Sequence, residues 1–259
     1  MEIVIQPDAE AAAHFVADRI AAQLRRKPLS VLGLATGRTM EAVYARLAAL
    51  HRDEGLRFCG VRAFNLDEYL GLAPDDPASY RAYMNRHIFD HVDLPLDQTH
   101  VPDGTATDPA AECRSFEERI REAGGIDLQL LGLGATGHIG FNEPLSPFES
   151  RTRPVILAPE TLRQNAGPFG GDPARVPRLG LTMGVRTILE ARALLMLVTG
   201  AAKADVLARV VEGPLTAMAS GTAIQLHKDC CVVADEAAAA KLAERDYYRW
   251  VRKVRSEDA

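Results

Sequence analysis

Residues 137–144 read Gly-His-Ile-Gly-Phe-Asn-Glu-Pro and set an imidazole and a carboxylate five positions apart, in a glycine-flanked turn that follows the apolar run DLQLLGLG. A histidine exchanges protons near neutral pH, and a carboxylate close by can orient and tune it. His138 and Glu143 are therefore a candidate proton-transfer pair, and the flanking glycines, Gly137 among them, let a substrate approach the backbone closely. A second pair of acids, Asp67 and Glu68, directly follows a strand-like run in FNLDEYLG. Two accounts are open for it. Carboxylates are favoured at a helix N-terminus by its dipole, or one of them faces a cleft as a general base while its neighbour points elsewhere. Asp67, which comes sooner after the apolar run, is the candidate for that base.

Two further stretches suit an anion. In LATGRT, residues 34–39, Gly37 permits a tight turn, and the hydroxyls of Thr36 and Thr39, the free amides of a helix start and the Arg38 guanidinium could together meet a phosphate. The alternative is a plain capped turn. The stretch is neither a Walker loop nor a dinucleotide fingerprint, so no nucleotide is implied. Lys203, in LVTGAAKADVL, stands in the first turn of an expected helix, where its charge opposes the dipole. A bound anion would reward it there; a snorkelling surface lysine is the other account.

These groups need a frame, and the chain alternates short apolar runs with amphipathic segments. Strands are expected at EIVIQ, LSVLGL, GVRAFNL, IDLQLLGLG, ALLMLVTG and CCVVADE. Helices are expected from Asp8 to about Arg26 and over MEAVYARLAAL, ASYRAYMNRHIFDHV, PAAECRSFEERIREAG, GVRTILEA and AAKADVLARVVEG. Strand and helix in turn imply parallel crossovers and a sheet covered on both faces. The expected architecture is one α/β domain over residues 1–259, a Rossmann-like three-layer sandwich with a mostly parallel central sheet. Ligands of such sheets bind beyond the carboxyl ends of the strands, where all four polar stretches fall. The breaker-rich NAGPFGGDPARVPR, residues 165–178, lies in a candidate lid at about 157–180, with a long surface connection as the alternative.

With 259 residues, 47% hydrophobic, and a formal net charge of −5, the chain has the composition of a soluble protein without the basic field that nucleic acid demands. Neither a signal-like start nor a run long enough to span a bilayer is evident, so no membrane partner and a cytoplasmic location are expected. The four cysteines show no CxxC spacing and fit reduced thiols. His87 and His91 have zinc-like spacing on a helix, but Ile88 stands where a zinc protease has glutamate, so no metal is expected.

Together, FNLDEYLGLAPDDPASYRAYM and GHIGFNEPLSPFESRTR, supported by LGLATGRT, LTMGVRTILEA and IQLHKDCCVVADE, resemble the glucosamine-6-phosphate deaminase/isomerase family from about Val4 to Leu242. The resemblance implies hydrolytic deamination of a hexosamine phosphate to a ketose phosphate and ammonia, without metal or redox cofactor. It implies that His138, helped by Glu143, opens the sugar ring and that Asp67 moves the C2 proton to C1. The phosphate would rest on residues 36–39 and Lys203, and a homo-oligomer is possible. Galactosamine 6-phosphate is an alternative substrate, phosphogluconolactone hydrolysis another activity, and a non-catalytic sugar-phosphate sensor another class.

Three departures from the family pattern stand out. Thr136 occupies a position where many members carry Asp or Asn, and its hydroxyl brings no negative charge to the imidazole. Gly167 stands where members commonly have a phosphate-binding arginine two residues after the asparagine matching Asn165, while Arg38 adds a charge to the opposite wall. Ser146 and Arg153 match the family's allosteric cluster, but Pro147 and Val155 break it, so activation by N-acetylglucosamine 6-phosphate does not carry over.

Overall fold

The computed structural model describes residues 1–257. Seven strands form a parallel sheet: β1 (Glu2–Gln6), β2 (Val31–Leu34), β3 (Arg62–Asn65), β5 (Thr99–His100), β6 (Leu128–Leu131), β9 (Ala193–Val198) and β10 (Cys230–Asp235), in the order β1-β10-β9-β6-β2-β3-β5. A second, antiparallel sheet has the order β4-β8-β7, from β4 (Asp67–Tyr69), β7 (Arg153–Ile156) and β8 (Leu179–Thr182). The helices are α1 (Ala9–Arg26), α2 (Arg38–Glu54), α3 (Tyr80–His87), α4 (Pro109–Glu122), α5 (Pro159–Gln164), α6 (Val185–Leu189), α7 (Ala204–Val211) and α8 (Arg245–Glu257). Helices lie on both sides of the large sheet, which gives the α/β three-layer fold.

Local chemistry explains the main elements. Every residue of β2 and β10 is buried, as expected of interior parallel strands that meet helices on both faces. In α1 the Asp8 carboxylate accepts from the Ala11 N–H at 2.8 Å, and Ala13, Val16, Ala17, Ile20 and Leu24 form its buried stripe. The strand order reverses between β2 and β6. The chain runs outward from β2 through β3 to β5, then returns to place β6 on the other side of β2. This switch point opens a crevice beyond the carboxyl ends of β2 and β6.

Several expected elements take a different form. Asp67 and Glu68 do not open a helix; they lie in β4, paired with Thr182 and Leu181 of β8. The helix expected through Val92 stops at His87, because Ile88 turns out of helical geometry at φ −144° and a single 3₁₀ turn follows. Lys203 precedes α7 as its cap residue, after a 3₁₀ turn at Ala201–Lys203. Strands β5, β7 and β8 and helix α8 were not expected. Cys59 is exposed and the other three cysteines are buried, all as free thiols.

At the opposite end of the sheet, Asp127 fastens three elements just before β6. Its carboxylate, with a side chain only 4% exposed, accepts from Lys27 Nζ at 2.7 Å, the Val31 N–H at 2.8 Å and Arg192 at 2.7 Å. Burial alone would raise this carboxyl, but the Lys27 hydrogen bond, the Val31 amide and the charges of Lys27 and Arg192 hold it below the usual range. The folded state thus binds its proton more weakly than the unfolded chain, so the stabilisation is present at neutral pH and fades as the pH falls through that depressed value. Asp127→Asn is expected to lower stability by about 1–3 kcal/mol at pH 7, with the difference shrinking toward pH 3 in denaturant titrations.

Candidate active site

Ala35, Thr36 and Gly37 after β2 face Gly132, Leu133 and Gly134 after β6 across a hollow of about 120 Å³ at the switch point. Asp67 enters it from the small sheet and His138 from the loop after β6. Tyr80, at the start of α3, and Gln164 and Asn165, at the end of α5, complete the polar lining.

The two acids of FNLDEY take opposite parts, as neighbouring strand positions do because their side chains leave by opposite faces. The Glu68 carboxylate accepts three backbone N–H groups, from Tyr69 at 2.8 Å, Tyr80 at 3.0 Å and Arg81 at 2.9 Å. It thereby fastens the first turn of α3, already capped by the Ser79 hydroxyl on the Ala82 N–H, and so places Tyr80 at the hollow. Asp67 is buried and makes no hydrogen bond to the described residues. Burial, reinforced by the Glu68 charge, pushes its carboxyl up from 3.8 to about 8. Gly140 at φ +53° gives it room, since a Cβ there would come within 3.4 Å of Asp67 Oδ2 and 2.9 Å of the Thr182 hydroxyl.

His138 is held in a tight loop in which the Gly134 N–H donates to the His138 carbonyl and the Gly137 N–H to the Gly134 carbonyl. Its Nδ1 lies 2.8 Å from Thr136 Oγ1 and 3.4 Å from Glu143 Oε2. Two oxygens facing Nδ1 assign the proton to that nitrogen, which leaves the Nε2 lone pair as the free one. Nε2 has no partner among the described residues and lies 2.0 Å from where a Cβ on Gly134 would stand, so this glycine makes space for the ring. Glu143 Oε1 accepts from the Ala158 N–H at 3.0 Å. Burial alone would raise this carboxyl, but the His138 ring, the Thr161 hydroxyl and the Ala158 amide together carry it below its usual range.

The remaining expected residues divide. Thr36 and Gly37 line the hollow, with Gly37 at φ +114° just before α2, whose start no side chain caps. Arg38 is exposed beside them with no ion pair among the described residues, and Thr39 is half-buried outside the lining. Gly137, at φ +87°, lies behind the hollow, where a Cβ would come 2.9 Å from Ala219, so its role is packing. Lys203 does not line the hollow; its Nζ donates to the Leu133 carbonyl at 2.8 Å, and burial lowers its pKa. His87 stacks on Tyr83 and His91 bonds the Arg86 carbonyl. Among the described residues no group of three or more His, Cys, Asp or Glu is placed to hold a metal.

Sequence reasoning missed Tyr80, Gln164 and Asn165. The Asn165 amide donates to the Tyr69 hydroxyl at 2.9 Å, and Gln164 accepts from the Ala135 N–H at 3.1 Å, so the segment after β7 is tied over the hollow. Tyr80 stood in the motif ASYRAYM, but nothing local marked it as facing a cleft.

Comparison with known proteins places this geometry in a family. Residues 7–230 match the model of glucosamine-6-phosphate isomerases/6-phosphogluconolactonase. The chain is 48% identical to the glucosamine-6-phosphate deaminase of Hahella chejuensis, over 97% of this chain and 96% of that protein. It is 46% identical to that of Streptomyces coelicolor, over 96% and 95%. Among solved structures, a monomeric glucosamine-6-phosphate deaminase superposes with a TM-score of 0.91 at 40% identity, covering 93% of this chain and all of that one. The 6-phosphogluconolactonase of Trypanosoma brucei, at 20% identity and a TM-score of 0.72, shares the fold. This chain belongs to the glucosamine-6-phosphate isomerase/6-phosphogluconolactonase family.

The raised Asp67 value has a consequence for stability. As pH climbs, the unfolded chain releases this proton near the ordinary carboxylate value while the folded protein keeps it to about 8. The fold therefore loses stability between those two values and no further above them. Asp67→Asn removes that penalty, and its melting temperature is expected to exceed the native one by at least about 4 °C at pH 8 while matching it near pH 4, as read by calorimetry.

Proposed function

We propose that this chain is a glucosamine-6-phosphate deaminase, which takes glucosamine 6-phosphate and water to fructose 6-phosphate and ammonia. The observation that carries the reading is the sharing of one hollow by a buried, unbonded carboxyl and an imidazole with its Nε2 free. His138 Nε2 moves the proton between ring oxygen and anomeric hydroxyl as the pyranose opens, with Thr136 and Glu143 holding Nδ1. Asp67 then takes the proton from C2 while the C1 carbonyl oxygen gains one, giving an enolamine. Return of the Asp67 proton to C1 yields the protonated C2 imine, which water hydrolyses to the ketone, the extra proton leaving with the ammonia as ammonium. Desolvation suits the base, because a carboxylate with an elevated pKa pulls harder on a carbon-bound proton.

The phosphate is assigned to the uncapped start of α2 at Gly37, with Arg38 and Lys203 as cations and Thr36 and Thr39 as hydroxyl donors. Arg38 supplies the charge that Gly167 does not. A hollow of about 120 Å³ is below the ~300 Å³ at which ligand sites begin, so the segment at about 157–180 acts as a lid that lifts for entry. All the groups named come from one copy, so a homo-oligomer would assemble complete sites. No helix among the described residues is long and apolar enough to cross a membrane, and the reading includes a cytoplasmic location.

A coupled assay of ammonia and ketose phosphate over a panel of hexosamine 6-phosphates tests the reading. Turnover is expected with glucosamine 6-phosphate and abolished in Asp67→Asn. Binding without ammonia at any pH would make the chain a sensor, and preference for the galactosamine compound would change the substrate. Arg38→Ala is expected to raise KM by about 10-fold or more with kcat nearly unchanged, the loss of one charge-assisted contact to bound phosphate. An unaltered KM would remove Arg38 from the site.

A further inference from the structure

Around Glu143 two buried polar atoms stand unpaired. Glu143 Oε2 has no hydrogen bond, and neither has the hydroxyl of Thr161, whose residue is 1% exposed. Both belong to one local arrangement. The other carboxylate oxygen accepts from the N–H of Ala158, the cap residue of α5, and Thr161 lies three positions further on, in the first turn of that helix. In helices a threonine hydroxyl ordinarily returns to a carbonyl three or four residues back; this one does not. An unpaired buried donor and an unpaired buried acceptor are each costly, and one bond between them removes both penalties.

We propose that Thr161 is a positioning residue that donates its hydroxyl proton to Glu143 Oε2 and, with the Ala158 N–H, fixes the carboxylate against His138 Nδ1 when the lid is seated. The inference rests on the deaminase reading above. It gives the lid a chemical task besides enclosure, because both donors to Glu143 come from the segment that lifts. An open lid withdraws them together, and His138 then loses an ionised, oriented partner. The direction of the Glu143 titration agrees, since the Thr161 hydroxyl is among the groups that lower it. Of the charges nearby, His138 is the titrating group that faces the carboxylate, at 3.4 Å. On α5, Glu160 and Arg163 pair with each other at the surface. From β7, Arg153 is engaged by Asn142 and Ser146, and Asp67 on β4 makes no hydrogen bond to the group.

The test compares Thr161→Val, which keeps the branched shape without the hydroxyl, with Thr161→Ser, which keeps the donor, in the full chain. Removing a donor from an ionised carboxylate raises its pKa, so the titration midpoint of the Glu143 carboxyl in Thr161→Val is expected to move to higher pH. Its kcat at neutral pH is expected to fall about 5- to 30-fold with a smaller change in KM. Thr161→Ser is expected to restore the native Glu143 midpoint and most of the rate. A Thr161→Val enzyme with the native Glu143 midpoint, or a Thr161→Ser enzyme as impaired as Thr161→Val, would overturn the proposal. Carbon-13 titration of the Glu143 carboxyl, assigned through Glu143→Gln, reads the same contact without turnover. A native protein that releases no ammonia would end the deaminase reading, whereas an unmoved Glu143 titration in Thr161→Val would end this one.

Discussion

A carboxyl group taken out of water and given no hydrogen bond is the constraint on which the rest of this structure depends. Asp67 occupies that state at the switch point of a parallel sheet, with its pKa carried to about 8 by burial and by its neighbour Glu68. Such a group weakens the fold at neutral pH, so the surroundings must hold it there. Pairing of β4 with β8 fixes the backbone, and Gly140 leaves space for the carboxyl beside the Thr182 hydroxyl. Asp127, at the far end of the same sheet, shows the opposite treatment. It is as deeply buried but fully partnered, and it stabilises the fold.

The alternation of a strand separates two adjacent acids into different kinds of work. Glu68 is spent on three backbone amides and organises α3; Asp67 is left to the hollow. On the other wall, His138 is oriented through Nδ1 by Thr136 and Glu143, so its free nitrogen is Nε2. Glu143 in turn is held by the segment that closes the hollow. His138, Glu143 and the segment after β7 are thus linked through polar contacts rather than merely close together, while Asp67 stands unbonded across the hollow.

Much of this was legible in the sequence, for physical reasons that differ by element. Strands β2 and β9, and β6 and β10 apart from Gln129 and Asp235, are apolar runs because both of their faces are covered, and α1 carries its stripe and its cap openly. Strand β4 was not legible, since Asp-Glu-Tyr has little strand preference and becomes one by pairing with a segment distant along the chain. The early end of α3 was hidden because RHIFDHV continues a helical pattern past Ile88. Asp67, His138, Glu143 and Thr36 could be chosen by type and by position after strands. The surroundings of Gly137 and Lys203 could not be read that way, because one packs behind the hollow and the other reaches its wall through the Leu133 carbonyl. Gln164, Asn165 and Thr161 reach the site only through the fold of the segment after β7.

The most direct measurement is the titration of the Asp67 carboxyl itself, followed by carbon-13 resonance in aspartate-labelled protein and assigned through Asp67→Asn. A midpoint near 8, far above that of the exposed aspartates, is the expected result. A midpoint near 4 would mean that this carboxyl is solvated or hydrogen-bonded in solution, and the account of a desolvated base facing His138 across one hollow would be wrong.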